Sequence, residues 1–180
     1  MADEARQRKR LARAEEDVRA AYRIAHVLTQ GTSATPEVWR QPGGEGLTRA
    51  EVLLHLAKTG ARICESLRLV ASQGALTRPV ERSPSQSVAL RLFMTTWRVP
   101  EGFEAIADAE ANGVVAEPSV VRDLHAQWTA SYIALLRENT AEFLCAVRAL
   151  HPRFGDLDPF EWARLIRIYF RHHELRLGIR

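Results

Sequence analysis

Apolar residues recur at three- and four-residue spacing along four long stretches of the chain, separated by polar segments rich in proline and glycine. The first stretch, from about residue 3 to 30, sets Leu11, Ala14, Val18, Ala21, Tyr22, Ala25 and Leu28 on one face and stops at Gly31. After the loop TSATPEVWRQPGGEG, Thr48 and Glu51 make a capping box, each side chain serving the other's backbone N–H. The helix they open runs to about residue 71, with Val52, Leu53, Leu56, Gly60, Ile63, Leu67 and Val70 inward. Gly60 costs helix stability and so marks a place where a neighbour packs closely. From residue 72 to 117 the period dissolves around Pro79, Pro84 and Pro100. A structureless connection of that length is rare in a compact domain, so short helices are expected near residues 87–97 and 103–110.

Pro118 opens the longest expected helix, to about residue 150, with Val121, Leu124, Trp128, Tyr132, Leu135, Phe143, Ala146 and Leu150 inward. Residues 151–157 form a turn. Asp158, Pro159 and Glu161 then carry the capping signals of a last helix, residues 159 to about 177. Its stripe is Trp162, Leu165, Ile166, Tyr169, His173 and Arg176, an apolar face interrupted by polar groups. No repeat and no strand-like alternation stands out. Trp128 and Trp162 fall on inward stripes and read as core, while Trp39 and Trp97 belong to loops.

Four amphipathic helices predict one all-α domain over residues 1–180, a four-helix bundle. Short loops make the first and second helices antiparallel, and likewise the third and fourth. The long connection, 72–117, is a crossover between the second and third helices that leaves these two parallel. The end of the last helix then lies level with the start of the second. His55 and His173 each fall roughly 6 to 11 Å from that rim, and His26 and His125 are drawn toward it. His125 joins them there only if its helix face turns inward.

Composition changes this picture little. A chain of 180 residues buries a sizeable core without a disulfide. Cys64 and Cys145 show no CxxC spacing and read as reduced thiols of a soluble, cytoplasmic protein. No apolar run is long enough to span a bilayer. The net charge of +3 comes from arginine, with only Lys9 and Lys58 as lysines. The basic arm of residues 1–13, RQRKRLAR, carries Arg6, Arg8, Lys9, Arg10 and Arg13. Glu4, Glu15, Glu16 and Asp17 flank it and no aromatic residue is interleaved, which argues for a solvated helix start over nucleic-acid binding.

LTRAEVLLHLAKT, with His55, resembles the second-helix motif of the bacterial DinB/YfiT-like metalloenzyme superfamily. HPRFGDLDPFEWARLIRIYFRHHELRLG is similar to the carboxy-terminal motif of one of its branches, and WRVPEGF is a weaker echo. The resemblance implies an up-down-down-up four-helix bundle, a divalent metal such as zinc or nickel near one end, and a homodimer. It carries the metal ligands onto His55, Tyr169 and His173, with tyrosine where the family has histidine or glutamate. Zinc and nickel take three nitrogen, sulfur or carboxylate ligands and keep a position open, and a neutral phenol is a poor third. His172 is a substitute by a small helix rotation, as are His125 and His26 by their place at the rim.

Two readings of the mouth follow. In one, a metal held by His55 and His173 activates a thiol or water for transfer to, or hydrolysis of, a small molecule, with Arg176 or Arg62 clamping the substrate. In the other, the triad has degraded and the chain is a non-catalytic small-molecule-binding or dimerisation module without metal. His55 and His173 are then polar groups hydrogen-bonded to each other, to Tyr169 or to water.

Overall fold

The structure, a computed structural model, describes residues 2–44, 47–74, 82–97, 99, 113 and 116–177, and among them the chain is all-α apart from two small hairpins. Helix α1 spans Ala2–Leu28. A 3-10 turn at Gly31–Ala34, the short α2 at Pro36–Trp39 and a hairpin of β1, Pro42–Gly44, with β2, Leu47–Thr48, lead into α3 at Arg49–Ser72. Next come α4 at Pro84–Thr96, α5 at Pro118–Glu138 and α6 at Ala141–Ala146. The hairpin of β3, Ala149–His151, and β4, Gly155–Leu157, precedes α7 at Pro159–Arg176. The helix expected near residues 103–110 lies outside the described residues. No described helix is long and apolar enough to cross a membrane.

Local chemistry explains where these helices begin. Thr48 with Glu51, Ser83 with Gln86 and Asp158 with Glu161 each form a complete capping box, and proline occupies the first turn of α4, α5 and α7. The expected continuous helix from 118 to 150 is corrected. Asn139 leaves the helix with extended backbone and its Nδ2 donates to Leu135 O at 2.9 Å. Thr140 then caps α6 by accepting from Phe143 N. The chain next turns into β3 and β4, paired antiparallel with Leu150 opposite Asp156 and His151 opposite Gly155. Leu150, expected inward, is 66% exposed.

Side-chain pairs fix how the long helices run. Arg10 meets Asp158, and Asp17 meets Arg164 and Arg167, so α1 and α7 run in the same direction. Arg137 pairs with Glu15 near one end of α5, while Trp39 of α2, in the connection that follows α1, donates to Ala116 O near the other, so α1 and α5 oppose each other. The α3 and α5 pair is parallel, since His125 reaches Leu53 O and Arg68 reaches Ser131 O. Arg49 Nη2 donates to Leu177 O at 3.0 Å and ties the start of α3 to the end of α7. Gly60 lies where a Cβ would come within 2.6 Å of the Trp128 ring, which explains a glycine in mid-helix. The core includes Val18, Leu53, Leu67, Tyr132, Leu144, Trp162 and Ile166, all nearly inaccessible.

Arginines of the basic N-terminal helix pair with carboxylates of this chain, Arg10 with a buried one and Arg8 with an exposed one. Arg10 pairs with the buried Asp158 at 2.6 Å, with its guanidinium 4.1 Å over the Phe160 ring, and Arg8 pairs with Glu4.

Candidate functional site

The apolar stripes of α3 and α7 face each other in opposite directions, and the hairpin β3–β4 folds back against both. Trp162 Nε1 donates to Ala149 O at 3.3 Å, which seats the hairpin on α7. Where the three meet, His55, Leu56, Thr59, Ile63, His151, Trp162, Leu165 and Tyr169 enclose a cavity of about 20 Å³. Room for one water-sized group takes about 10–15 Å³, so the space holds a single such group.

His151 is set by its own turn. Gly155, at φ 72°, lets the chain reverse, and the backbone N–H groups of Arg153 and Phe154 both donate to His151 Nδ1, at 3.0 and 3.3 Å. Because that nitrogen accepts, the proton of the neutral ring is on Nε2. Burial, helped by the Arg153 charge, pushes the pKa of His151 down to about 4, so the ring is neutral at ordinary pH. It stacks on Phe154 with ring centres 4.7 Å apart and lies 5.3 Å from Trp162.

The other polar wall groups come from the helices. Burial pushes the Tyr169 phenol well above its ordinary range, so it is a neutral O–H, and its ring lies 6.1 Å from Phe93. Thr59 Oγ1 is buried with no hydrogen-bond partner. Thr29 donates its hydroxyl to Ala25 O and Thr95 to Arg91 O, whereas Thr129 of α5 is also buried without a partner. His55 is half-buried on the same wall.

Of the site residues expected from sequence, the fold brings His55 and Tyr169 together at this cavity. His173 and His172 are half-buried with rings 5.3 Å apart edge to face, and neither lines the cavity. Arg62 and Arg176, expected as clamps, are exposed and absent from its wall. His26 packs on Tyr22, whose hydroxyl lies 3.4 Å from its Nδ1.

The expectation for His125 is corrected. It is fully buried between α3 and α5, with both nitrogens engaged: Trp128 Nε1–H donates to Nδ1 at 3.1 Å, and Nε2–H donates to Leu53 O at 3.1 Å. Burial pushes its pKa down to about 4, so it is a neutral core histidine that pins the Trp128 ring.

His151 is the site residue that sequence reasoning missed. Its signal was the HPRFG turn, where a histidine two and three residues ahead of two backbone donors can cap them as an aspartate would.

As they stand, the described side chains of the cavity do not suit a metal ion. A ligating histidine donates its second N–H outward and offers a lone pair to the metal. His151 does the reverse, accepting at Nδ1 and holding the proton on Nε2, and Tyr169 is un-ionised. Among the described residues no three His, Cys, Asp or Glu side chains gather in a metal-binding group. The arrangement is instead a few polar groups in an apolar frame. The chain matches no family model, no curated protein and no solved structure.

Proposed function

We propose that the chain is a DinB-like four-helix bundle of up-down-down-up course, built from α1, α3, α5 and α7, whose mouth binds a small molecule through hydrogen bonds. In this reading the metal chemistry implied by the resemblance has been replaced. The observation that carries it is the state of the cavity: His55 and Tyr169, two positions that the resemblance makes ligands, line it together with a histidine whose lone pair is turned to the backbone. The helix directions given by the Arg10–Asp158, Glu15–Arg137, His125–Leu53 and Arg49–Leu177 contacts support the bundle course. Association into a homodimer belongs to the same reading and is measured by light scattering.

The test is metal content by plasma mass spectrometry on protein purified without chelators, beside a His55→Ala, His173→Ala double variant and a Tyr169→His variant. The expected result is well under one metal per chain, with zinc or nickel binding gained in Tyr169→His. Near-stoichiometric metal in the native protein, lost in the double variant, would overturn the reading in favour of a metal-dependent transferase or hydrolase.

A further inference from the structure

On the outward side of α3 and α5 the two helices leave an open cleft of about 590 Å³. Its floor is apolar, since Cys64 and Trp128 are each 3% exposed, while Leu69 stands on its rim 58% exposed. The rim also carries charge. Arg68 lies across the cleft, donating to Ser131 O at 3.3 Å with Glu138 3.9 Å away, and Glu65, one turn before it, belongs to no ion pair among the described residues. Helix α3 supplies six of the lining residues, at positions 61, 64, 65, 68, 69 and 72. These positions are symmetric about a point between Ser66 and Leu67. An antiparallel copy of α3 centred there sets Ala61 against the partner's Ser72, Cys64 against the partner's Leu69 and Glu65 against the partner's Arg68. Every helical stripe of three- and four-residue spacing has this symmetry of position. The side chains of this one match it as well, small opposite small, apolar opposite apolar, and negative opposite positive.

We propose that this cleft is a homodimer interface, in which a second copy of the chain packs its α3 antiparallel on the first. Leu69 of each copy enters the other's cleft over Cys64 and Trp128, and Glu65 of each pairs with the partner's Arg68. The two-fold axis makes every contact twice. The occupant is a second copy because the cleft carries its own complement in both charge and size. The proposal deepens the homodimer of the preceding reading by giving it a surface.

The experiment is sedimentation velocity over a concentration series, on the native chain, Glu65→Arg, Arg68→Glu, an equimolar mixture of these two, and the doubly exchanged variant. Across the axis, Glu65→Arg sets arginine against arginine twice, and Arg68→Glu sets glutamate against glutamate twice. The native chain is expected to be dimeric, and each single variant to dimerise at least about tenfold more weakly. The mixture is expected to recover the dimer as a heterodimer, because each chain then meets the opposite charge at both positions, and the double variant to recover it alone. Recovery in trans is a result that a merely folding role of either residue would not produce. Leu69→Asp is expected to be monomeric with native helical content by circular dichroism. A monomeric native chain, single variants that dimerise like the native chain, or a mixture that stays monomeric would each overturn the proposal. In the second of these cases the homodimer stands on another surface, and metal content decides the small-molecule reading separately.

Discussion

Asp17 offers the sharpest test of how α1 is held to α7. Its carboxylate is 2% exposed, and Oδ1 accepts from Arg167 Nη1 at 2.6 Å and from Arg164 Nη1 at 3.2 Å. Both guanidiniums also lie over the Trp97 ring, at 3.9 Å for Arg164 and 5.1 Å for Arg167. Replacing Asp17 with Asn keeps the shape, removes the charge, and leaves two like charges side by side on α7 without their counter-ion on α1. Breaking a fully buried pair from one side costs about 3–5 kcal/mol. The Arg164 and Arg167 side chains keep 18% and 34% of their exposure, so water recovers part of this. A loss of about 3 kcal/mol is therefore expected, or roughly 6–12 °C in Tm for a domain of this size. Urea denaturation followed by circular dichroism reads it directly. An Asp17→Asn variant within about 0.5 kcal/mol of the native protein would refute the clamp, since that is the ordinary scatter of surface substitutions.

Further outcomes follow from the same geometry. His125 and His151 are neutral in the fold with pKa about 4, against 6.5 when unfolded, so their contribution is whole above pH 6.5 and is lost as pH falls from there to 4. Unfolding free energy is expected to drop by roughly 2 kcal/mol per ring between pH 7.5 and pH 5, and a flat profile in urea titrations across that range would contradict the burial of both rings. Gly60→Ala, which favours a helix by about 1 kcal/mol elsewhere, is expected to destabilise here. The new Cβ meets a Trp128 ring anchored on His125, and a higher Tm would show that the ring gives way. Arg82→Met removes two hydrogen bonds to Glu161, at 2.9 and 2.8 Å, and one to Asp156 O, and is expected to raise amide exchange in the β3–β4 hairpin and not in α5.

The helices were legible where their starts carry reciprocal caps. Thr48–Glu51 and Asp158–Glu161 mark α3 and α7 within the sequence, and burial follows their three- and four-residue stripes through Leu53, Leu56, Trp162 and Leu165. The break in the expected long helix was not legible by period, because Phe143 continues the apolar spacing across it. Asn139 and Thr140 decide the matter by capping, and a cap competes on equal terms with a helical residue only when tertiary contacts support the turn. Strands of three residues such as β3 and β4 are too short to show alternation. For the same reason His151 escaped notice: its place at the cavity depends on the hairpin folding back, held by the Trp162 to Ala149 O hydrogen bond. His55 and Tyr169 lie on long helices whose faces are fixed by many neighbours, so their meeting was readable. His125 sits at the flank of such a stripe, where a rotation of one residue separates a mouth from a core.

The distribution of ties bears on the small-molecule binding proposed for the cavity. The hairpin wall is held hard to α7. Arg82 bridges Glu161 and Asp156 O, Arg148 lies 3.7 Å from Glu161, and Trp162 holds Ala149, so His151 keeps a fixed position relative to Tyr169. Helix α1 is clamped to the same helix through Asp158 and Asp17. By contrast α3 packs chiefly on α5 and meets α7 over a smaller seam, with Arg49 to Leu177 O as its polar tie at one end. Even that tie is incomplete, for Arg49 is 8% exposed and its Nε has no partner. The wall of His151 and Tyr169 thus faces a wall, bearing Thr59 and His55, that is bound to it lightly. Prearrangement lowers the ordering cost of binding, and in the proposed reading the light seam is the route by which a ligand group reaches the cavity.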